Sequence, residues 1–134
     1  VESSSVDGFE VSSYAIPSII DEIPILAVLA ATGKGKTVFN GIEELKFKES
    51  NRVQAIIDNL VNFGIKAYEQ DNSLIVEGGT PTQMPTIQSF DDHRIAMAFV
   101  ILSIAVFGEY KLDNKACIDI SLPGFFDTIE EMLS

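Results

Sequence analysis

The sequence predicts a mixed α/β (α+β) fold: one domain holding two copies of a single unit. Three observations lead there. The stretch from Asp21 to Val61 runs acidic cap, apolar helix, glycine, strand, strand, amphipathic helix, and Asp92 to Leu133 runs the same way 71–73 residues later. Asp21 aligns with Asp92, Gly35 with Gly108, Thr37-Val38 with Tyr110-Lys111 and Ile56 with Ile129. A fixed offset of this kind is the mark of an internal repeat, with the units falling at roughly 1–79 and 80–134. Second, helical and strand periodicities alternate along the chain, so helices and sheets must share one core, with helices inside and sheets outside or the reverse. Third, 134 residues with 46% hydrophobic content suffice for one packed domain.

Val1 to Ser5 is small and polar and reads as a frayed start. Phe9-Glu10-Val11 reads as a short edge strand before Pro17. An apolar helix is expected to start near Asp21, since Pro24 is tolerated in a first turn whose N–H groups lack partners. Gly33 and Gly35 end it. Gly33-Lys34-Gly35 is not a phosphate loop, because the Walker pattern requires strand, glycine-rich loop, then helix, and here the order is helix, then strand. Thr37-Val38-Phe39 reads as a strand, and Leu45 to Lys48 leads into the central helix. In that helix Val53, Ile56, Ile57, Leu60 and Val61 make the stripe of one buried face, Ser50 or Asn51 caps the start, and Gly64 stops the end.

Ile65 to Glu69 and Leu74 to Glu77 flank Gln70-Asp71-Asn72-Ser73 as a hairpin, and Gly78 to Pro85 is a loop. Asp92 caps a second apolar helix, Ile95 to Phe107, closed by Gly108. Strands at Glu109 to Leu112 and Ala116 to Ser121 follow, then Pro123-Gly124 and an acidic helix from Phe125 to Leu133.

The formal charge is −11, which argues against general binding of nucleic acid or anionic membranes. Yet Arg52 and Arg94, the only arginines, both occupy helix starts, and the single histidine, His93, adjoins one of them. A cation there opposes the helix dipole by roughly 0.3–1 kcal/mol. A small anion held between these cations and the free N–H groups would resolve the conflict. The plainer alternatives are a solvated Lys48/Glu49/Arg52 first turn, Asp21 and Asp92 as caps only, Glu49 as an ion-pair partner of Arg52, and His93 as a satisfied core residue. A metal site at Asp91, Asp92 and His93 would send adjacent side chains in different directions, so no metal or cofactor is expected. Cys117 stands alone, which excludes a disulfide within the chain and fits a cytoplasmic protein. The longest apolar runs are about 13 residues, short of the roughly 20 a bilayer needs, and no export leader is expected.

Four stretches carry a family resemblance. They are Asp-Glu-Ile-Pro-Ile-Leu-Ala at 21–27, Glu-Leu-Lys-Phe-Lys-Glu-Ser-Asn-Arg at 44–52, Asp-Asp-His-Arg-Ile-Ala-Met at 91–97 and Ser-Leu-Pro-Gly-Phe-Phe-Asp at 121–127. With 28 residues from Asp21 to Glu49 and 44 from Glu49 to His93, the chain resembles the 5-enolpyruvylshikimate-3-phosphate synthases over nearly its whole length. The sister family acting on UDP-N-acetylglucosamine shares the fold but lacks this pairing of motifs.

The resemblance implies βαβαββ units, three to a domain, in an inside-out α/β barrel, with the active site in a cleft between two domains. It makes 1–134 a single partial domain, the C-terminal portion, with the N-terminal domain of the same enzyme as missing partner. It further implies that the 5-hydroxyl of shikimate 3-phosphate attacks C2 of phosphoenolpyruvate, that C3 is protonated and that phosphate leaves. Asp21 would be the base near the 5-hydroxyl, Glu49 would handle the C3 proton, and His93 would orient or hydrogen-bond nearby. Lys48 would contact the shikimate phosphate side, and Arg52 and Arg94 would hold the phosphoenolpyruvate anion. Ile120 stands where many members carry a lysine, removing one contact. A different class, a stand-alone non-catalytic anion-binding module made of two repeats, is the alternative.

Overall fold

A computed structural model describes residues 8–48 and 50–113. The expected frayed start, the strand at Ala116 to Ser121, the closing helix from Phe125 to Leu133, Glu49 and Ile120 lie outside the described residues.

A four-stranded sheet has the order β1-β2-β4-β3. β1 (Glu10–Val11) lies parallel to β2 (Lys36–Asn40), while β4 (Ser73–Glu77) runs antiparallel to β2 and to β3 (Lys66–Gln70). The β3–β4 hairpin turns at Asp71 and Asn72, whose φ values of 53° and 60° are the left-handed pair a two-residue turn requires. Their short polar side chains tolerate that region better than other non-glycine residues do. A second, two-stranded sheet pairs β5 (Thr86–Ile87) in parallel with β6 (Lys111–Leu112).

Each parallel pair is bridged by an apolar helix, α2 (Ile23–Ala31) between β1 and β2, and α4 (His93–Phe107) between β5 and β6. Gly108 caps α4 at φ 77°, its N–H reaching the Ile104 carbonyl at 2.9 Å. α3 (Arg52–Asn62) leads into the hairpin, and α2, α3 and α4 pack against one another. Phe63, just past α3, stacks on Phe99 and Phe107 of α4 with ring centroids 6.0 and 6.4 Å away.

The structure departs from the sequence expectation in four places. The helix expected near Asp21 starts at Ile23, and Asp21 lies in a 3-10 turn, Ile20–Glu22, that follows a short helix α1 (Ile16–Ile19). No side chain caps that turn or α2, whose cap positions are Ile19 and Glu22, and the Asp21 carboxylate bonds Arg52 instead. α3 buries Arg52, Val53, Ala55, Ile56, Asn59 and Leu60 and leaves Val61 51% exposed, so two polar side chains stand where only the apolar stripe was expected. A 3-10 turn, Glu43–Phe47, occupies the approach to α3. β5 arises in the Pro/Thr-rich connection, where two residues give no periodicity to read.

A candidate anion site at two helix starts

α3 opens on Asn51, in extended conformation, whose side chain accepts the Gln54 N–H at 3.1 Å. That cap leaves Arg52 as the first helical residue and frees its side chain to turn inward, where it is 1% exposed. Its guanidinium meets two carboxylates. Nε donates to Asp92 Oδ2 at 2.8 Å and Nη2 to Asp92 Oδ1 at 3.2 Å, while Nη1 donates to Asp21 Oδ1 at 3.0 Å. The planar fork of arginine suits such a bidentate contact; a lysine could not make it.

Asp92 is fully buried and does more than pair with Arg52. As the cap of α4 its Oδ1 accepts the backbone N–H groups of Arg94 at 3.1 Å and Ile95 at 3.4 Å. Its Oδ2 also accepts the Ser50 hydroxyl at 2.8 Å. Burying an ion pair costs several kcal/mol per charge unless the remaining hydrogen-bonding capacity is satisfied, and here it is. Among the described residues no buried side-chain nitrogen or oxygen lacks a partner.

Asp21 stands at the edge of this buried core, 49% exposed. The hydrogen bond from Arg52 holds its carboxyl below the usual value of 3.8, against the opposing effect of partial burial. The charges of Arg52, Arg94 and Lys48 push in the same direction. The Arg94 side chain, in the first turn of α4, is 43% exposed, and its Nη1 lies 4.0 Å from Glu22 Oε2. A contact that long and that wet contributes little. A cleft of about 220 Å³, lined by Asp21, Glu22, Pro24, Arg94 and Met97 among others, opens beside the pair. Ligand sites ordinarily enclose about 300–1,000 Å³.

The structure bonds Asp21 to Arg52, lines one cleft with Asp21 and Arg94, and places His93, half-buried, directly after Asp92. Glu49 lies outside the described residues. Asp21 and Asp92 serve Arg52, whereas Glu22 stands beside Arg94. Sequence reasoning offered Ser50 only as a cap of α3, not as a donor to Asp92, and gave Asn59 no role. The available signal was Asn59 itself, a polar residue within the apolar stripe, three residues after Ile56.

Comparison with known proteins follows the same lines. The family model described as EPSP synthase (3-phosphoshikimate 1-carboxyvinyltransferase) matches residues 1–129. The 3-phosphoshikimate 1-carboxyvinyltransferase of Desulforamulus reducens is 41% identical over 133 residues, covering 99% of this chain and 31% of that protein. Its counterpart in Caldicellulosiruptor saccharolyticus is 44% identical over 128 residues, covering 95% of this chain and 30% of that protein. The solved structure of an EPSP synthase from Acinetobacter baumannii superposes with a TM-score of 0.85 at 30% identity, over 95% of this chain and 30% of that one. The chain therefore spans about 30% of the length of the relatives it matches. No helix among the described residues is long and apolar enough to cross a membrane.

Proposed function

The chain belongs to the EPSP synthase family, and from that premise we propose that it is the C-terminal part of an enzyme carrying the enolpyruvyl group of phosphoenolpyruvate to the 5-hydroxyl of shikimate 3-phosphate. The observation that carries this reading is the cleft that Asp21 and Arg94 line together, with Arg52 bonded to Asp21 at 3.0 Å. These are residues of three separate motifs: Arg94 stands exposed at the cleft and Arg52 lies buried behind Asp21. Phosphoenolpyruvate, with a phosphate and a carboxylate, is the kind of ligand that bidentate guanidiniums select.

In this reading the incoming anion takes the exposed Arg94 first, then competes with Asp21 for Nη1 of Arg52. Asp92 keeps its grip on the other edge of the Arg52 fork, so the guanidinium stays fixed while its partner changes. Release from Arg52 lets the Asp21 carboxyl rise toward its ordinary value. It thereby becomes a better acceptor for the proton of the 5-hydroxyl as that oxygen attacks C2. Glu49 delivers a proton to C3 and removes one from it as phosphate departs, which restores the double bond. His93 orients these groups, and Lys48 faces the shikimate phosphate. No cofactor or metal takes part, and Ile120 marks a variation on the family pattern.

Residues 1–79 and 80–134 form two units of one partial domain. The remaining domain of the same polypeptide supplies the other wall of the cleft, which accords with a cleft smaller than a whole ligand site. The reaction runs in the cytoplasm. Phosphate release from phosphoenolpyruvate, measured with and without shikimate 3-phosphate on the full-length protein, tests the reading. Release that requires both substrates is expected. Binding of either anion with no turnover would leave an anion-binding module in its place.

A further inference from the structure

Between Gln88 and α4 the chain reverses through two residues in the left-handed region, Phe90 at φ 55° and Asp91 at φ 56°. The Asp92 N–H closes the turn on the Ser89 carbonyl at 2.9 Å. Consecutive positive φ values are most readily supplied by Asn-Gly or Asp-Gly. The β3–β4 hairpin answers the same demand with Asp71 and Asn72, which tolerate it. Phe90 does not: it is bulky, it cannot bond its own backbone, and at 43% exposure it recovers little by burial.

A turn of this kind persists only where its surroundings over-determine it, and α3 grips it on both sides. Before the turn, the buried Asn59 amide donates to the Gln88 carbonyl at 2.9 Å and accepts the Gln88 N–H at 3.0 Å. Its second amide proton goes to the Ala55 carbonyl at 3.0 Å. After the turn, Arg52 holds Asp92. Arg52 and Asn59 are seven residues apart, so they project from the same face of α3, two turns from each other. The Ser89 N–H is steadied from β6's end by Asp113 Oδ1 at 3.1 Å.

We infer that Asn59 is a positioning residue of the site: through the Gln88 backbone it holds the strained Phe90-Asp91 turn so that Asp92 meets Arg52 and Arg94 faces the cleft. What the site binds rests on the function proposed above; the strain and its clamp do not.

Three variants of the full-length protein test this. Asn59→Leu keeps the branched, four-heavy-atom shape and removes all three bonds. It should raise the KM for phosphoenolpyruvate at least tenfold while changing that for shikimate 3-phosphate less than twofold. Adding Phe90→Gly, which takes the left-handed turn without strain, should bring the phosphoenolpyruvate KM back to within threefold of the parent. A general loss of stability would instead lower the fraction of folded enzyme, and with it the apparent kcat, without singling out the KM for phosphoenolpyruvate. Phe90→Gly alone should raise the unfolding midpoint, and this result stands even if Asn59→Leu fails to fold. A lower midpoint for Phe90→Gly, equal shifts in both KM values, or no rescue in the double variant would overturn the inference. Absence of enolpyruvyl transfer in the parent protein would defeat the proposed function instead, leaving the midpoint of Phe90→Gly to judge the strain.

Discussion

Arg52 and Asp92, forty residues apart in sequence, close on each other through Nε–Oδ2 at 2.8 Å and Nη2–Oδ1 at 3.2 Å, both shut off from solvent. One carboxylate thereby fixes the side chain of one arginine and the backbone N–H of the other, since the Arg94 amide bonds the same group.

Asp92→Ala should be strongly destabilising. It removes the buried countercharge of Arg52 and strips α4 of its cap. Removing one partner of a buried pair costs about 3–5 kcal/mol, and loss of the cap adds about 1 kcal/mol. Denaturant unfolding measures it. A loss under about 1 kcal/mol would mean that water reaches Arg52 and the pair is not closed.

Arg52 and Arg94 should separate folding from binding. Arg94 is 43% exposed, so Arg94→Ala should leave stability within about 0.5 kcal/mol of the parent. It should nevertheless lower kcat/KM about a hundredfold, about 2.7 kcal/mol of transition-state binding. Arg52→Ala should depress both quantities. Less than a tenfold change in kcat/KM for Arg52→Ala, at a temperature where the variant is folded, would make Arg52 purely structural.

Asp21 gives a pH dependence whose sign can be worked out. The Arg52 hydrogen bond lowers its folded pKa below 3.8. A carboxyl depressed on folding contributes stability above its unfolded pKa, near 3.9, and loses it as pH falls through the folded value. Asp21→Asn should therefore be less stable than the parent at pH 7, with the gap shrinking below about pH 4. Because the carboxylate is 49% exposed, the gap at pH 7 should be about 1 kcal/mol or less. Unfolding curves at pH 7, 4 and 3 decide it, and a gap that widens on acidification would contradict the assignment.

The chain on its own should turn over nothing measurable. One wall of a cleft leaves the anion open to water, where each ionic contact is worth about 1 kcal/mol or less. The proximity contribution, about 7–11 kcal/mol for well-placed reactants, is lost with the second substrate's anchors. Mixing with the remaining part of the polypeptide, supplied separately, should restore phosphate release. Turnover by residues 1–134 alone would refute the divided-site reading.

Local chemistry made much of this fold legible. Asn51 and Asp92 are strong caps before apolar runs, Gly64 and Gly108 are stops, and Asp71-Asn72 between two alternating segments is a turn. Each of those signals acts within four or five residues. The family resemblance likewise implied one site for Asp21, Lys48, Glu49, Arg52, His93 and Arg94. What stayed hidden depends on partners far away in sequence. Nothing near Arg52 says that it is buried, because the group that makes burial affordable is Asp92. Nothing near Asp21 says that its carboxylate will bond Arg52. Asn59 looked like an ordinary break in a stripe until Gln88 was placed beside it.

The closure between positions 52 and 92 also constrains how this protein can drift. A lineage that changes Arg52 first leaves the buried Asp92 carboxylate without its countercharge, and one that changes Asp92 first leaves the buried Arg52 without its buried countercharge. Either intermediate forfeits about 3–5 kcal/mol, a large part of the 5–15 kcal/mol that usually separates folded from unfolded protein. The two positions therefore behave as a single inherited character: a path to any other pair crosses a fitness valley unless both codons change together or stability gained elsewhere carries the intermediate across.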